Sequence, residues 1–168
     1  MERLWELRPN IIIVDSFTKS YGIPGIRLGY VIASAEIIDQ LAAIRPPWSV
    51  NSLSLKAGEY ILERHNELQP NIMELVTESR YLQDKIAKIS GFRVTPSDCN
   101  FFLVEICNST SQVSELKKFL IDKHGILIRD ASNFVGLTNS HFRIAAQERK
   151  DGVKLINALK EWISTQHY

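Results

Sequence analysis

Residues 16–30 read SFTKSYGIPGIRLGY, and this stretch decides the fold of the chain. It follows an apolar, β-branched run, Ile11–Val14, which predicts a buried strand of a parallel sheet. It leads into a second apolar run at residues 28–33, which predicts another strand. Open α/β sheets bind their ligands at the carboxyl ends of such strands. We therefore expect the stretch to form a ligand-binding loop.

The side chains of this loop suit a phosphate group and a carbonyl carbon. Ser16, Thr18 and Ser20 supply hydroxyls, and Arg27 follows Lys19 by eight residues. Hydroxyls and a guanidinium together bind phosphate well, and a lysine in such a pocket can lose its proton and attack a carbonyl. The alternative is a solvated loop lysine beside a structural arginine. The P-loop and dinucleotide-binding glycine motifs are both absent from the sequence.

Helices and strands alternate along the rest of the chain. Helices are predicted at residues 35–44, 52–65, 70–90, 113–124 and 153–163, and strands at residues 92–94, 101–105, 126–129 and 141–145. This alternation predicts an α/β or α+β arrangement, divided near Gln69 and Pro70 into residues 1–68 and 69–168. Two strands do not form an independently stable sheet. The first segment therefore either pairs with the later strands or belongs to something larger.

Composition and charge exclude several classes of function. The 168 residues include 20 basic and 19 acidic ones, a balance that gives no electrostatic reason to expect nucleic acid or an anionic membrane as partner. No apolar run reaches membrane-spanning length and no signal peptide is visible, so we expect a cytoplasmic protein. Cys99 and Cys107 do not form a metal-type pair, and the four histidines (65, 124, 141 and 167) are too scattered for a metal site. Residues 108–110 match a glycosylation motif that has little meaning without secretion.

The pattern S-x-x-K followed by G-x-x-G-x-R-x-G-Y resembles the Schiff-base loop of fold-type I pyridoxal-phosphate enzymes of the aminotransferase type. The resemblance implies that Lys19 holds pyridoxal 5'-phosphate (PLP) as an imine, and that Ser16 and Arg27 bind the cofactor phosphate. It also implies the fold: α/β, with residues 1–68 as the C-terminal remnant of the large parallel-sheet domain. Residues 69–168 would be the small α+β C-terminal domain.

The later motifs resemble the threonine-phosphate decarboxylase branch of that family. These motifs are Pro47–Asn51, residues 126–130 and residues 133–137, and residues 142–145 match the family's late strand. By this resemblance Arg143 binds the substrate carboxylate and Arg129 faces the substrate's anionic end. The implied activity is decarboxylation of a small phosphorylated amino acid in cobalamin biosynthesis, by a homodimer. A histidinol-phosphate or related aminotransferase is the alternative, and a non-catalytic binding or dimerisation domain is the second.

The family pattern also names groups that this sequence does not contain. Family members carry an aspartate for the pyridine nitrogen, a glycine-containing phosphate turn and an aromatic residue stacked on the ring. All three lie further upstream of the lysine than the 18 residues that precede Lys19 here. Because the electron-withdrawing power of the cofactor depends on its protonated ring nitrogen, we expect this chain alone to be inactive or nearly so.

Overall fold

A computed structural model describes residues 8–107 and 111–166. The chain forms two compact units, Met1–Pro70 and Asn71–Tyr168. The expected boundary fell between residues 68 and 69, and the assignment of the two units to a large and a small domain stays a prediction. The glycosylation motif at 108–110 and His167 lie outside the described residues.

The first unit combines a two-stranded ribbon with short helices. Its elements are β1 (Ile13–Ser16), α1 (Phe17–Ser20), a 3-10 turn (Pro24–Ile26), β2 (Gly29–Ile32), α2 (Ala35–Ile44), α3 (Ser52–Glu63) and α4 (His65–Leu68). Among residues 8–70 of this unit, the buried cluster consists of Phe17, Leu28 and Ile61. The unit therefore leaves much of its apolar surface exposed.

The prediction for the first strand is wrong in two respects. The strand β1 pairs with β2 antiparallel, with Ser16 opposite Gly29, and it does not pair with the later strands of the described chain. It is also not buried, because 73% of Val14 is exposed. An apolar β-branched run indicates that both faces of a strand favour burial. It does not indicate whether the neighbouring strand is parallel or antiparallel.

The second unit is an antiparallel sheet covered on one face by helices. Its elements are α5 (Ile72–Ile86), β3 (Phe92–Thr95), β4 (Phe101–Ile106), α6 (Val113–His124), β5 (Arg129–Asp130), β6 (His141–Ala145) and α7 (Arg149–Thr165). The strand order is β3-β4-β6-β5. The helix expected from Pro70 begins at Ile72, after Asn71 caps it by accepting from the backbone N–H of Glu74.

Alternation along the strands of this sheet separates a core face from an open face. On β6, Phe142 and Ile144 are buried, whereas Arg143 and Ala145 are exposed. The core face packs against the three helices through 19 buried apolar residues, with Trp162 of α7 stacked on Phe92 at a centroid distance of 6.0 Å. The open face is where polar side chains of this unit are available to a ligand.

Candidate functional site

The loop between β1 and β2 is closed by backbone contacts. The last pair of the ribbon joins Ser16 to Gly29, and the backbone N–H of Phe17 donates to the carbonyl oxygen of Leu28 at 3.1 Å. These contacts bring the start of α1 beside the segment that carries Arg27. Two of the three predicted cofactor-binding residues, Ser16 and Arg27, therefore lie on adjoining segments of the backbone.

Lys19 lies on the single turn of α1, one turn beyond Ser16, and its side chain is exposed. Within residues 8–107 and 111–166 its ammonium group has no carboxylate partner. The neighbouring hydroxyls are paired with each other, since Ser16 Oγ lies 2.7 Å from Oγ1 of the buried Thr18. The lysine amine is thus available for reaction, and a hydroxyl pair lies next to it in the sequence.

Arg27 adopts a left-handed backbone conformation, with φ 49° and ψ 46°. Its Nη1 donates to the carbonyl oxygen of Pro24 at 3.1 Å, and its side chain is exposed. A non-glycine residue in this region is uncommon and is often found at ligand sites. The guanidinium has no acidic partner in the described part of the chain, so its charge is available to an anion.

Asp15 makes two contacts that were not predicted from the sequence. Its carboxylate accepts from the backbone N–H of Ser16 at 2.6 Å and from the hydroxyl of Tyr30 at 3.0 Å. Partial burial, followed by the hydrogen bond to Asp15 and the negative charge of that carboxylate, raises the pKa of Tyr30 above its usual value. Because Asp15 and Tyr30 are opposite each other in the ribbon, strand pairing was the signal that could have predicted this contact.

Tyr21 and Tyr30 both pack against Phe17, at centroid distances of 5.8 and 5.2 Å. Their hydroxyl groups are also engaged. The hydroxyl of Tyr21 lies 3.1 Å from Nδ1 of His65, while that of Tyr30 donates to Asp15. The aromatic rings therefore support α1 from both sides of the loop.

The second unit places Arg129 and Arg143 directly opposite each other on β5 and β6. Both line a cavity of about 410 Å³, together with apolar side chains that include Ile126 and Leu155. Like charges directly opposite each other on neighbouring strands destabilise a sheet. An anion bound between the two guanidinium groups would relieve that repulsion. The structure thus brings together the two arginines that the sequence selected.

Neutral groups hold both of these arginines. Nη2 of Arg129 donates to Oδ1 of Asn133 at 3.2 Å, and its Cζ lies 6.0 Å from the centroid of the Phe134 ring. The Cζ of Arg143 lies 5.2 Å from the centroid of the Phe101 ring. Neither arginine has a carboxylate partner within the described residues. The sequence argument did not assign these neighbours a role.

Asp130 follows Arg129 on β5 and is already used in a turn, while a second acidic residue, Asp151 of α7, also lines the cavity. The backbone N–H of Ser132 donates to Oδ1 of Asp130 at 2.9 Å. This bond and one from the Ser132 side chain lower the pKa of Asp130, with smaller contributions from Lys117 and Arg129. The carboxylate of Asp130 therefore caps its own loop and does not form an ion pair with Arg129.

The described part of the chain contains neither a metal-type cluster nor a membrane-spanning helix. No group of three or more histidine, cysteine, aspartate or glutamate side chains is placed to hold a metal ion. Of the described helices, none is both apolar enough and long enough to cross a bilayer. His124 and His141 lie near Glu161 and Glu105, respectively, at 3.2 and 3.8 Å.

The sequence profile of the family described as aminotransferase class I and II matches residues 4–159. The chain belongs to this family. One curated relative, a putative threonine-phosphate decarboxylase of Caldanaerobacter subterraneus subsp. tengcongensis, is 34% identical over 150 residues, which make up 89% of this chain and 40% of the relative. The match therefore covers most of this chain but less than half of the relative.

Solved structures agree with this assignment. The L-threonine-O-3-phosphate decarboxylase of Porphyromonas gingivalis superposes with a TM-score of 0.86 at 33% identity, covering 95% of this chain and 49% of that structure. The histidinol-phosphate aminotransferase of Sinorhizobium meliloti, solved in complex with pyridoxal-5'-phosphate, superposes with a TM-score of 0.73 at 25% identity, covering 94% and 42%. The similarity confirms the α/β fold and the family predicted from the motif. The chain spans half or less of the length of these relatives.

Proposed function

We propose that this chain is the C-terminal part of a PLP-dependent enzyme, with L-threonine-O-3-phosphate decarboxylase as the activity of the whole protein. The observation that carries the proposal is the loop of residues 16–30, which holds an exposed lysine, a hydroxyl pair and an exposed arginine; within residues 8–107 and 111–166 neither the lysine nor the arginine has a carboxylate partner. The family is PLP-dependent, and a solved relative contains the cofactor. The similarity to decarboxylases of threonine phosphate supports the activity.

The residues of the loop fit the chemical groups of PLP. The cofactor presents an aldehyde and a phosphate, and it supplies an electron-withdrawing ring when bound. In the proposal, Lys19 reacts with the aldehyde, while the Ser16 hydroxyl and the Arg27 guanidinium bind the phosphate. Because Arg27 uses only one of its donors on Pro24, the remaining N–H groups are free for a phosphate oxygen.

The arginine pair of the second unit would bind the anionic groups of the substrate. Arg143 takes the carboxylate and Arg129 takes the other anionic end, which makes a small phosphorylated amino acid the proposed substrate. The orientation that these contacts impose decides which bond of the substrate breaks. During turnover the amine of Lys19 would move protons as acid and base.

A histidinol-phosphate aminotransferase is the second candidate for the whole protein. It is supported by curated relatives with that name, such as one from Archaeoglobus fulgidus at 32% identity over 152 residues. The same arginines would then bind an amino-alcohol phosphate. A cytoplasmic location, a homodimer and a role in cobalamin biosynthesis form part of the first proposal. Release of carbon dioxide from O-phosphothreonine by the whole protein, against transamination of histidinol phosphate, distinguishes the two activities.

Reaction of this chain with PLP tests the role of Lys19. The chain is incubated with PLP, reduced with borohydride and digested, and the modified lysines are located by mass spectrometry. We expect preferential labelling at Lys19, loss of that label in Lys19→Ala, and weaker labelling in Arg27→Ala. Lys88→Ala is the matched control, because Lys88 is an exposed lysine outside the loop. Equal labelling of Lys19 and Lys88 would contradict the proposal.

A further inference from the structure

The arginines of the second unit fall into two groups according to their partners. Arg80, Arg93 and Arg149 contact the carboxylates of Asp98, Glu105 and Glu78, respectively. Arg129 and Arg143, although they face each other across β5 and β6, are held by an amide and by aromatic rings. The two arginines that line the cavity are thus the two whose positive charge is not neutralised by a carboxylate in the described chain.

We infer that Asn133 and Phe101 are positioning residues that hold Arg129 and Arg143 in place while leaving their charge available to an anion. The inference deepens the proposed function and rests on its assignment of these arginines to the substrate. An aspartate at position 133 would offer the same shape with a negative charge. The carboxylate of that aspartate would pair with the guanidinium of Arg129 and compete with the substrate anion for it.

The two arginines are positioned by different kinds of contact, a hydrogen bond for Arg129 and an aromatic ring for Arg143. The amide oxygen of Asn133 accepts one guanidinium N–H at 3.2 Å, which leaves the other donors of Arg129 free. The ring of Phe101, on β4, lies below the guanidinium of Arg143 and attracts it through its negative face without consuming any N–H donor. Phe101 is 43% exposed on the open face of the sheet, where a large apolar ring has no core to fill.

The contacts of Asn133 with Arg129 and of Phe101 with Arg143 also oppose the mutual repulsion of the two arginines. With their backbones directly opposite, the side chains start from neighbouring Cα atoms that are about 5 Å apart. Asn133 and Phe134 follow β5, whereas Phe101 belongs to β4 on the far side of β6. The partners therefore hold each guanidinium from a different element, Arg129 from the loop after β5 and Arg143 from β4.

Phosphate binding by the whole 168-residue chain tests the inference. Inorganic phosphate is titrated at constant ionic strength, and the Nε–Hε signals of Arg129 and Arg143 are followed by NMR. These signals are assigned with Arg129→Lys and Arg143→Lys. The Nε of Arg93 donates to Glu105 at 2.9 Å on the same sheet and serves as the internal control. We expect the signals of Arg129 and Arg143 to shift on titration and the signal of Arg93 to stay in place.

Four variants at positions 133 and 101 distinguish the effect of side-chain charge on phosphate binding from the effect of side-chain shape. We expect Asn133→Asp to weaken phosphate binding by about tenfold or more, because a carboxylate on the guanidinium competes with the anion. Asn133→Leu stays neutral and should weaken it only about two- to threefold, through loss of one charge-assisted hydrogen bond. Phe101→Leu should weaken binding by a similar small factor, and Phe101→Tyr, which keeps the ring, should restore wild-type affinity.

Thermal unfolding of each variant shows whether the fold is preserved. The inference is overturned if the signals of Arg129 and Arg143 do not respond to phosphate in the wild-type chain. It is also overturned if Asn133→Leu weakens binding as much as Asn133→Asp, or if Phe101→Tyr behaves like Phe101→Leu. Labelling of Lys19 by PLP is measured separately, so a failure of the cofactor proposal can be distinguished from a failure here.

Discussion

Gly29 lies where β2 passes closest to β1, and its missing side chain permits that approach. A Cβ atom at this position would lie 2.7 Å from the backbone oxygen of Asp15. Real Cβ atoms do not approach a backbone oxygen so closely, and neither strand can give way without breaking the Ser16–Gly29 pair. This pair closes the loop that carries Lys19. The glycine of the R-x-G-Y pattern is thus needed for close approach of two backbones.

Gly29→Ala is expected to destabilise the first unit and to impair the loop. The clash with Asp15 should cost about 1–3 kcal/mol, which is typical of inserting a methyl group into a tight contact. Gly25→Ala is the matched control, because a Cβ there would meet nothing within 4 Å. Urea unfolding followed by a probe in residues 8–70 measures the difference. A Gly29→Ala variant as stable as Gly25→Ala would contradict this account.

At the level of residues, the motif predicted the positions of the candidate site but not its local contacts. The spacing of Ser16, Lys19 and Arg27 identified the loop, because the intervals between the residues of a motif can be read directly from the sequence. The hydrogen bond between Asp15 and Tyr30 depends on the pairing of β1 with β2, which joins residues 15 positions apart. The partners of Arg143 likewise come from a different strand. Such contacts follow from the register of strands, which a single sequence does not state.

A single ion pair joins α5 to α7 on the helical face of the second unit. Nε and Nη2 of Arg149 donate to the two carboxylate oxygens of Glu78 at 2.6 and 2.7 Å. The same guanidinium lies 3.7 Å from the centroid of the Tyr81 ring. A bidentate contact combined with stacking fixes the first turn of α7 more firmly than a simple charge pair would.

The contribution of Glu78 to stability should disappear in acid. The hydrogen bonds from Arg149 are the main cause that holds the pKa of Glu78 below its usual value of 4.5. A lowered folded-state pKa means that the stabilisation is complete above pH 4.5 and is lost as the pH falls through the folded value. We expect Glu78→Gln to lower the melting temperature at pH 7, and we expect its difference from wild type to shrink as the pH falls below 4.5.

The control for this experiment is Asp84→Asn on the same helix. Asp84 has no ion-pair partner among residues 8–107 and 111–166, so its substitution should change the melting temperature little at pH 7. The far-UV circular dichroism of the whole chain, followed during heating, measures both variants across the pH range. A gap between wild type and Glu78→Gln that stays constant from pH 7 to pH 3 would show that charge plays no part.

Helices and strands with a long periodic pattern of apolar residues were predicted well. Strands whose extent or direction depends on the neighbouring strand were not. The long amphipathic helices and the strands β3, β4 and β6 lie close to their predicted ranges because their alternating or helical patterns extend over several turns or pairs. The strand expected at residues 126–129 is reduced to Arg129–Asp130, since only those two residues pair with β6. The direction of β1 was wrong for a related reason, because hydrophobicity specifies burial and not the neighbouring strand.

The two units of the chain differ in how much of their apolar surface they bury. In the described part of the chain, the buried cluster of the second unit has 19 residues, including Trp162 and Phe142, and that of the first unit has three. In the first unit Val14 and Ile44 are more than two-thirds exposed. The number of apolar residues in a sequence does not say which of them find a partner within the chain.

Hydrogen exchange should therefore distinguish the two units. Amides in the middle of β4 and β6 are bonded within a four-stranded sheet that covers a core, so they should exchange only on global unfolding of that unit. Amides of β1 and β2 belong to a two-stranded ribbon, which is marginally stable by itself. We expect the ribbon to exchange at least about a hundredfold faster, as local opening requires less free energy than global unfolding.

Mass spectrometry or NMR of the 168-residue chain at neutral pH measures this difference directly. The internal standard is β3, which forms an edge of the same sheet as β4 and should show intermediate protection because only one of its sides is paired. Addition of PLP gives a second test, since a ligand bound at the loop of residues 16–30 would slow exchange in β1 and β2 and leave β4 and β6 unchanged. Equal protection of the ribbon and the sheet without ligand would mean that the exposed apolar residues of the first unit are covered in solution. The small core of Phe17, Leu28 and Ile61 would then not describe its packing.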